Sequence, residues 1–183
     1  MTMINKHFSL HTKNLQLRMF KVRDARAVQE FLSINKQYML PWIPWAVNEP
    51  ESIEEKKRKI REWKDGFKQN TKFVYGIYEK GREELIGMSF MFTRRGKGTL
   101  EIGYILDFRQ YGKGYATEAS KVLTDLGFEL GVEKMLIYCD EANRASSRVP
   151  EKLGYELVRL EIEESEDGNK RLMIWELKNP ELN

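Results

Sequence analysis

The sequence predicts an α/β fold in which helices flank a central mixed, mostly antiparallel sheet of about seven strands. Short apolar runs with strand periodicity are separated by turn residues, and one long stretch has helical periodicity. A glycine-containing loop joins the last of three consecutive strands to that helix. No internal repeat or low-complexity tract is visible, so we expect one domain spanning residues 1–183.

The first half of the chain opens with a strand and a helix. Leu15, Leu17 and Met19 alternate with polar neighbours, as in a half-buried strand, and Asp24 is expected to cap a helix reaching about Ile34. The elements expected next are a loop with two prolines and two tryptophans at 38–45, a charged helix at 52–67, and antiparallel strands at 73–78, 85–93 and 100–106.

The second half is expected to contain the main amphipathic helix. Its apolar positions are spaced three and four apart, and Gly131 follows as a C-terminal cap. These positions are Ala116, Ala119, Leu123, Leu126 and Leu130. A strand at 135–139, a short helix ending near Gly154, and a hairpin with strands at 155–161 and 172–177 complete the fold, its turn lying at 166–169.

Composition excludes several classes of protein. The 31 basic and 28 acidic residues leave a net charge of only +3, so neither nucleic acid nor an anionic membrane is expected as a partner. No signal peptide or bilayer-spanning run is visible, and Cys139 lies in an apolar run as a buried small side chain, which favours the cytoplasm. No cluster of metal ligands occurs, and His7 and His11 are expected before the first strand, exposed and non-catalytic.

The loop between the third of the antiparallel strands and the main helix carries the strongest chemical signal. Gly112 and Gly114 lack a β-carbon, so backbone N–H groups can approach an anion closely there. The helix N-terminus adds a partial positive charge of about half an electron. A pyrophosphate is therefore expected at this loop, although a plain strand-to-helix turn would show the same pair of glycines.

Two familiar phosphate motifs do not fit this loop. A dinucleotide-binding fingerprint requires glycine at position 117, which is occupied by Thr117. A P-loop requires Ser or Thr after Gly-Lys, whereas the Gly-Lys pairs at 96 and 112 are both followed by glycine.

Three separated motifs together resemble the GNAT acetyltransferases of the RimJ/RimL branch. They read GKGYATEA at 112–119, NRAS at 143–146 and EKLGY at 151–155, and that branch also has a Trp-Pro-rich segment near the position of 40–45. The resemblance covers most of the chain and implies the GNAT fold, in which the sheet is splayed at the cofactor site. It implies acetyl-CoA as co-substrate and an amine as acceptor, with no metal.

The resemblance also implies which residues bind the cofactor. The pyrophosphate loop would comprise Tyr111, Gly112, Lys113, Gly114, Tyr115 and Ala116. Tyr111 replaces the usual Gln or Arg of this loop, and Arg109 fits that position if the motif is read two residues earlier, so the register of the loop is open. The main chain near Leu106 and the side chain of Asn143 would bind the pantetheine arm.

Catalytic and acceptor-binding residues follow from the same resemblance. Ser146 would meet the departing sulfur, although Pro150 leaves the Ser146 carbonyl without its helical donor and should kink or shorten the helix. Glu101 is the candidate base, and strand parity places it on the face opposite Tyr104 and Leu106.

Each of these assignments has a structural alternative. Asn143 would also serve as a helix cap, and Ser146 as a solvated first-turn serine. Glu101 would be a structural carboxylate. Trp42 and Trp45 either wall the acceptor site or anchor their loop.

The leading hypothesis for the reaction is acetylation of a protein or peptide N-terminal α-amine. A small-molecule amine, such as an amino acid, polyamine or antibiotic, is the alternative acceptor. A non-catalytic acetyl-CoA-binding module would keep the loop and lack the transfer. The sequence leaves the oligomeric state open, including a homodimer.

Overall fold

The computed structural model describes residues 7–93, 95–163 and 169–182. Its strands are β1 (Ser9–His11), β2 (Leu15–Met19), β3 (Lys72–Glu79), β4 (Leu85–Phe92), β5 (Thr99–Leu106), β6 (Lys134–Asp140), β7 (Glu156–Glu163) and β8 (Lys170–Lys178). Its α-helices are α1 (Ala25–Met39), α2 (Ile53–Gln69), α3 (Tyr115–Glu129) and α4 (Arg144–Lys152).

All eight strands belong to one sheet, in the order β1-β2-β3-β4-β5-β6-β8-β7. Every neighbouring pair is antiparallel except β5 and β6, which are parallel. The predicted mixed, mostly antiparallel sheet is thus confirmed, with one strand more than the seven expected. The additional strand is β1, whose three residues are too few to show an alternating pattern. His11 therefore ends the first strand instead of preceding it, and it is exposed as expected.

Helices cover both faces of the sheet, and the sheet separates two apolar cores. One core joins α1 and α2 to the sheet and includes Ile105 of β5, whereas the other lies under α3 and includes Ile102 and Leu106. Successive side chains of β5 thus point to opposite faces, as the predicted parity requires. This places Glu101 on the side of α1 and α2 and Tyr104 on the side of α3.

The first helix differs from its prediction at both ends. Asp24 makes no side-chain cap for α1; it ends a short 3-10 turn, and its carboxylate accepts hydrogen bonds from Lys21 N at 2.7 Å and from Arg18. The helix continues beyond Ile34 to Met39 because Asn35 and Met39 are buried on its inner face. The tryptophan loop is correspondingly shorter and contains a 3-10 helix, Pro44–Asn48.

Elements after β5 agree closely with expectation. Gly131 follows α3 with a positive φ of 82°, a backbone conformation that glycine adopts without strain. Helix α4 is short, nine residues, and contains Pro150. The predicted turn at 166–169 lies outside the described residues except for Asn169.

Candidate active site

A cleft opens through the sheet where β5 and β6 diverge. The two strands pair only from Thr99–Lys134 to Ile102–Ile137, after which β5 continues to Leu106 along β4 alone. The cleft has a volume of about 880 Å³ and reaches both faces of the sheet. The splayed sheet that the family resemblance implies is therefore present at this position.

The glycine loop forms one end of the cleft. Gly112 and Gly114 have φ values of 80° and 81°, and a β-carbon built at either would meet no atom within 4 Å. The Glu118 N–H donates to Gly114 O at 3.0 Å, so the earlier amides of α3 have no intrahelical acceptor. The loop thus presents open space, backbone N–H groups and the positive end of a helix together, which suits an anion.

Interactions around Asp107 hold the start of this loop in place. Asp107 is buried and accepts a hydrogen bond from Arg109 N at 2.8 Å. Its carboxylate also forms a bidentate ion pair with the Arg109 guanidinium. The hydrogen bond from Arg109 holds the pKa of Asp107 below its ordinary value. Phe108 N donates to the buried amide oxygen of Asn35 at 3.0 Å, and the Phe108 ring stacks on Tyr38. Because the guanidinium of Arg109 is bound to Asp107 and Glu84, it is already neutralised by two carboxylates.

Ser146 lies beside Tyr104 on the α3 side of the cleft. The Tyr104 hydroxyl is 2.9 Å from Ser146 O and 3.0 Å from Ser146 Oγ. A carbonyl only accepts, so Tyr104 donates its hydrogen to Ser146 O, and the Ser146 hydroxyl donates to Tyr104 Oη. Pro150 lacks the N–H that would otherwise bind this carbonyl in the helix. Tyr104 thus supplies the donor that Pro150 removes, and in doing so it fixes the position of Ser146.

Asn143 caps helix α4. Its Oδ1 accepts a hydrogen bond from Ser146 N at 3.1 Å, which is the structural alternative weighed for this residue. Asn143 also lines the cleft, and within the described ranges its side chain makes a hydrogen bond only through Oδ1. The cap therefore leaves one polar group of Asn143 for a ligand.

The opposite side of the cleft is aromatic and charged. Glu101 is buried and ion-paired with Arg95, whose Nε lies 2.7 Å from Glu101 Oε2 and whose guanidinium stacks over the Tyr138 ring. Trp42 and Trp45 line the outer wall with 38% and 44% of their surface exposed.

Buried charge supports the loop that carries the two tryptophans. Lys56 is almost wholly buried and is ion-paired with Glu49 and Glu51. Lys36 Nζ donates to Val47 O at 3.1 Å and also binds Glu49 O. Lys170 of β8 reaches across to Pro41 O at 3.1 Å.

Most of the site residues predicted from the sequence meet in this cleft. They are Trp42, Trp45, Glu101, Leu106, Tyr111, Gly112, Gly114, Tyr115, Ala116, Asn143 and Ser146. Lys113 does not line it; its ammonium donates to Gln110 Oε1 at 2.7 Å. Tyr104 also lines the cleft, although no sequence motif marks it and only the strand parity of β5 indicates its position. Four further aromatic residues line the cleft, and none of them belongs to a recognisable motif: Tyr38, Phe90, Phe92 and Tyr138.

Cys139 also borders the cleft, and it is buried as expected. Burial raises the pKa of its thiol to about 11. Within the described ranges, no group of three or more His, Cys, Asp and Glu side chains is arranged to hold a metal ion. None of the helices described is long and apolar enough to cross a bilayer.

Comparison with known proteins agrees with this geometry. Residues 14–156 match the family model described as "Acetyltransferase (GNAT) domain". A Bacillus subtilis (strain 168) protein named "Probable N-acetyltransferase YjcK" is 28% identical over 149 residues, which cover 80% of this chain and 82% of the relative.

Solved structures share the fold over nearly the whole chain. A crystal structure of a protein named as a probable acetyltransferase superposes with a TM-score of 0.85 at 23% identity, covering 95% of this chain and 98% of the other. RimL, a ribosomal L7/L12 alpha-N-protein acetyltransferase in complex with coenzyme A, gives 0.83 at 18% identity, covering 91% and 95%. Since the family model spans most of the sequence and the cleft has the splayed strands and glycine loop described above, this chain belongs to the GNAT family and is an N-acetyltransferase that uses acetyl-CoA.

Proposed function

We propose that the chain acetylates the N-terminal α-amine of a protein or peptide. The observation that carries this proposal is the outer wall of the cleft, where Trp42 and Trp45 line the site and still meet solvent. An acceptor bound there has room to continue out of the cleft, as a polypeptide must. The likeness to RimL, which is named for an α-amine acceptor, supports the same choice.

The residues at the loop fit the co-substrate. The open space above Gly112 and Gly114 and the free amides around them would hold the pyrophosphate. The edge of β5 that β6 leaves near Leu106 would hold the pantetheine arm through main-chain hydrogen bonds, with Asn143 beside it. Acetyl-CoA, when bound, supplies the thioester from which the acetyl group is transferred.

On the acceptor side, Glu101 is the residue we propose to take up the proton of the amine, directly or through water. An α-amine with a pKa of about 8 needs only about 1.4 kcal/mol to lose its proton at pH 7, whereas a lysine amine near 10.4 needs about 4.6 kcal/mol. Carboxylates are weak bases as a class. The combination therefore favours an α-amine over a lysine side chain.

On the cofactor side, we propose that Ser146 stabilises the departing thiolate. Its hydroxyl donates to Tyr104 Oη and would turn toward the sulfur as negative charge develops there. Burial raises the pKa of Tyr104 above its ordinary value, so Tyr104 keeps its proton and continues to hold Ser146 O. In this arrangement Tyr104 positions the serine, and Ser146 contacts the leaving group.

A pair of matched peptides tests the proposed acceptor. One has a free α-amine and an acetylated lysine, and the other has an acetylated N-terminus and a free lysine. We expect acetyl-CoA-dependent mass gain on the first peptide and at least about tenfold less on the second, following the difference in amine pKa. Release of coenzyme A thiol gives the rate, and the same mixture without the protein gives the background.

Spermidine, free amino acids and an aminoglycoside serve as competing acceptors in the same assay. Turnover of one of these with neither peptide acetylated would refute the proposal and leave a small-molecule amine as the substrate.

A further inference from the structure

The two edges of the sheet are built differently. One edge is β1, which has only three residues, and the other is β7, which has eight. A short edge strand offers few unpaired backbone groups, whereas a long one is a template for pairing with another chain. Strand β7 is exposed at every residue except Glu161.

Strand β7 also carries apolar side chains that the described chain leaves partly exposed. Leu157, Leu160 and Ile162 are exposed by 44%, 43% and 68%. The strand has a bulge between Leu157 and Arg159, and from Arg159 to Glu163 its pairing with β8 is regular. Bulges are one means of protecting an edge, but this one leaves five regular residues open.

We propose that β7 pairs antiparallel with β7 of a second copy of this chain, joining the two sheets across a twofold axis. Two side chains that lie directly opposite each other in an antiparallel pair point to the same face of the sheet. The twofold axis must therefore lie where one residue of β7 is opposite the same residue of the second copy, and not midway between two successive residues. An axis at Arg159 or Glu161 would set like charges directly against each other. An axis at Ile162 would place Glu161 of each copy opposite Glu163 of the other, which gives two pairs of like charges.

An axis at Leu160 avoids every such clash within the regular segment. It sets Arg159 of each copy against Glu161 of the other, and Leu160 against its own counterpart. Arg159 already forms an ion pair with Glu161 within the strand, so both lie on one face. Leu160 and Ile162 lie on the other face, where the pairing would cover apolar surface. The strand is therefore complementary to itself in charge in one register.

The expected dimer is weak because its regular part is a single short strand pair. Stable interfaces usually bury about 800 Å² on each partner, and a strand pair with a small apolar stripe provides less. We therefore expect a dissociation constant in the micromolar range or weaker. Neither Arg159 nor Glu161 lines the active-site cleft, but both border a smaller pocket together with Arg95, the ion-pair partner of Glu101. The test therefore measures association and not activity.

Charge reversal tests both the surface and the register. Sedimentation equilibrium of the full chain over about 1–200 μM should show a monomer–dimer equilibrium. Arg159→Glu and Glu161→Arg should each raise the dissociation constant at least about tenfold, because each sets like charges opposite one another twice. An equimolar mixture of the two variants should recover dimers, since every 159–161 pair in the heterodimer is again of opposite charge.

Arg61→Glu, an exposed change on α2, is the control for net charge and should leave the equilibrium unchanged. Circular dichroism and melting temperature check that each variant is folded. A wild-type protein that stays monomeric at about 200 μM overturns the proposal. So does a dimer that the two reversals weaken no more than Arg61→Glu does, or a mixture that fails to re-associate.

Discussion

At the scale of single residues, the backbone conformation of Gly114 is central to the proposed pyrophosphate site. Its φ of 81° strains any residue with a β-carbon, and a branched side chain would also fill the space expected for the pyrophosphate. Gly131, at the other end of α3, has a φ of 82° and equally open surroundings. The two glycines thus have matched conformations, and only one of them lies at the cleft.

We expect Gly114→Val to weaken acetyl-CoA binding at least about tenfold, or about 1.4 kcal/mol. Gly131→Val should cost similar stability, by the same backbone strain, and leave the affinity unchanged. Calorimetric titration of both variants with acetyl-CoA measures the difference. Equal affinities in the two folded variants would exclude the loop as the pyrophosphate site.

Ser146 and Ser147 are adjacent in α4 and face different surroundings. Ser146 lines the cleft, whereas Ser147 is buried and donates to Arg144 O at 3.2 Å. Ser146→Ala should lower kcat about 10²-fold with little change in acetyl-CoA affinity, because the hydroxyl acts on the leaving group.

Ser147→Ala is the control for this change and should retain the wild-type kcat. The measurement requires conditions in which the chemical step is rate-limiting. A wild-type kcat for Ser146→Ala under those conditions would assign the role to water or to Tyr104.

At the scale of elements, local patterns predicted most of the sheet and helices. Strands with several alternating residues and the amphipathic α3 were predictable because their periodicity is contained within each segment. The end of α1 was not predictable in this way, because the helix continues only where Asn35 and Met39 are buried against residues distant in sequence. The three-residue β1 has too little sequence to show a pattern, and it exists because β2 provides its partner.

The same distinction applies to the site. The glycine loop is one continuous segment, and its anion-binding character can be read from glycines followed by a helix. The contact between Tyr104 and Ser146 joins residues 42 positions apart. It depends on the divergence of β5 and β6 and on the carbonyl that Pro150 leaves free, so no local pattern contains it.

The 3-10 helix Pro44–Asn48 provides a matched pair of side chains for the acceptor wall. Trp45 lines the cleft, whereas Val47, exposed by 63%, does not. Trp45→Ala should raise the acceptor KM severalfold, by loss of a contact worth about 1 kcal/mol, and leave acetyl-CoA affinity intact. Val47→Ala should change neither. Equal losses for both ligands, with a lower melting temperature, would make Trp45 an anchor of its loop.

For the molecule as a whole, a cleft that reaches both faces of the sheet allows the two substrates to be bound together. Direct transfer then needs no acetylated enzyme. Cys139 is the only cysteine, and a pKa of about 11 keeps it as the unreactive thiol at neutral pH. We therefore expect a sequential mechanism and not a covalent one.

Initial rates measured with both substrates varied should give intersecting reciprocal plots. Cys139→Ala should keep kcat within about twofold, since the thiol makes no bond in the reaction. Parallel plots together with loss of activity in Cys139→Ala would instead indicate an acetyl-cysteine intermediate.

The short pairing between β5 and β6 also divides the sheet mechanically. Strands β1 to β5 are joined to β6, β8 and β7 through four residue pairs, whereas β4–β5 has six and β6–β8 has seven. These four are parallel, the slightly weaker kind of ladder. The seam between the half-sheets should open more readily than either half. Those amides of 99–102 and 134–137 that donate across it should therefore exchange hydrogen faster than the amides of β3 and β4. A pantetheine arm lying along β5 near Leu106 would join the two half-sheets next to this seam, and saturation with acetyl-CoA should slow exchange there most of all.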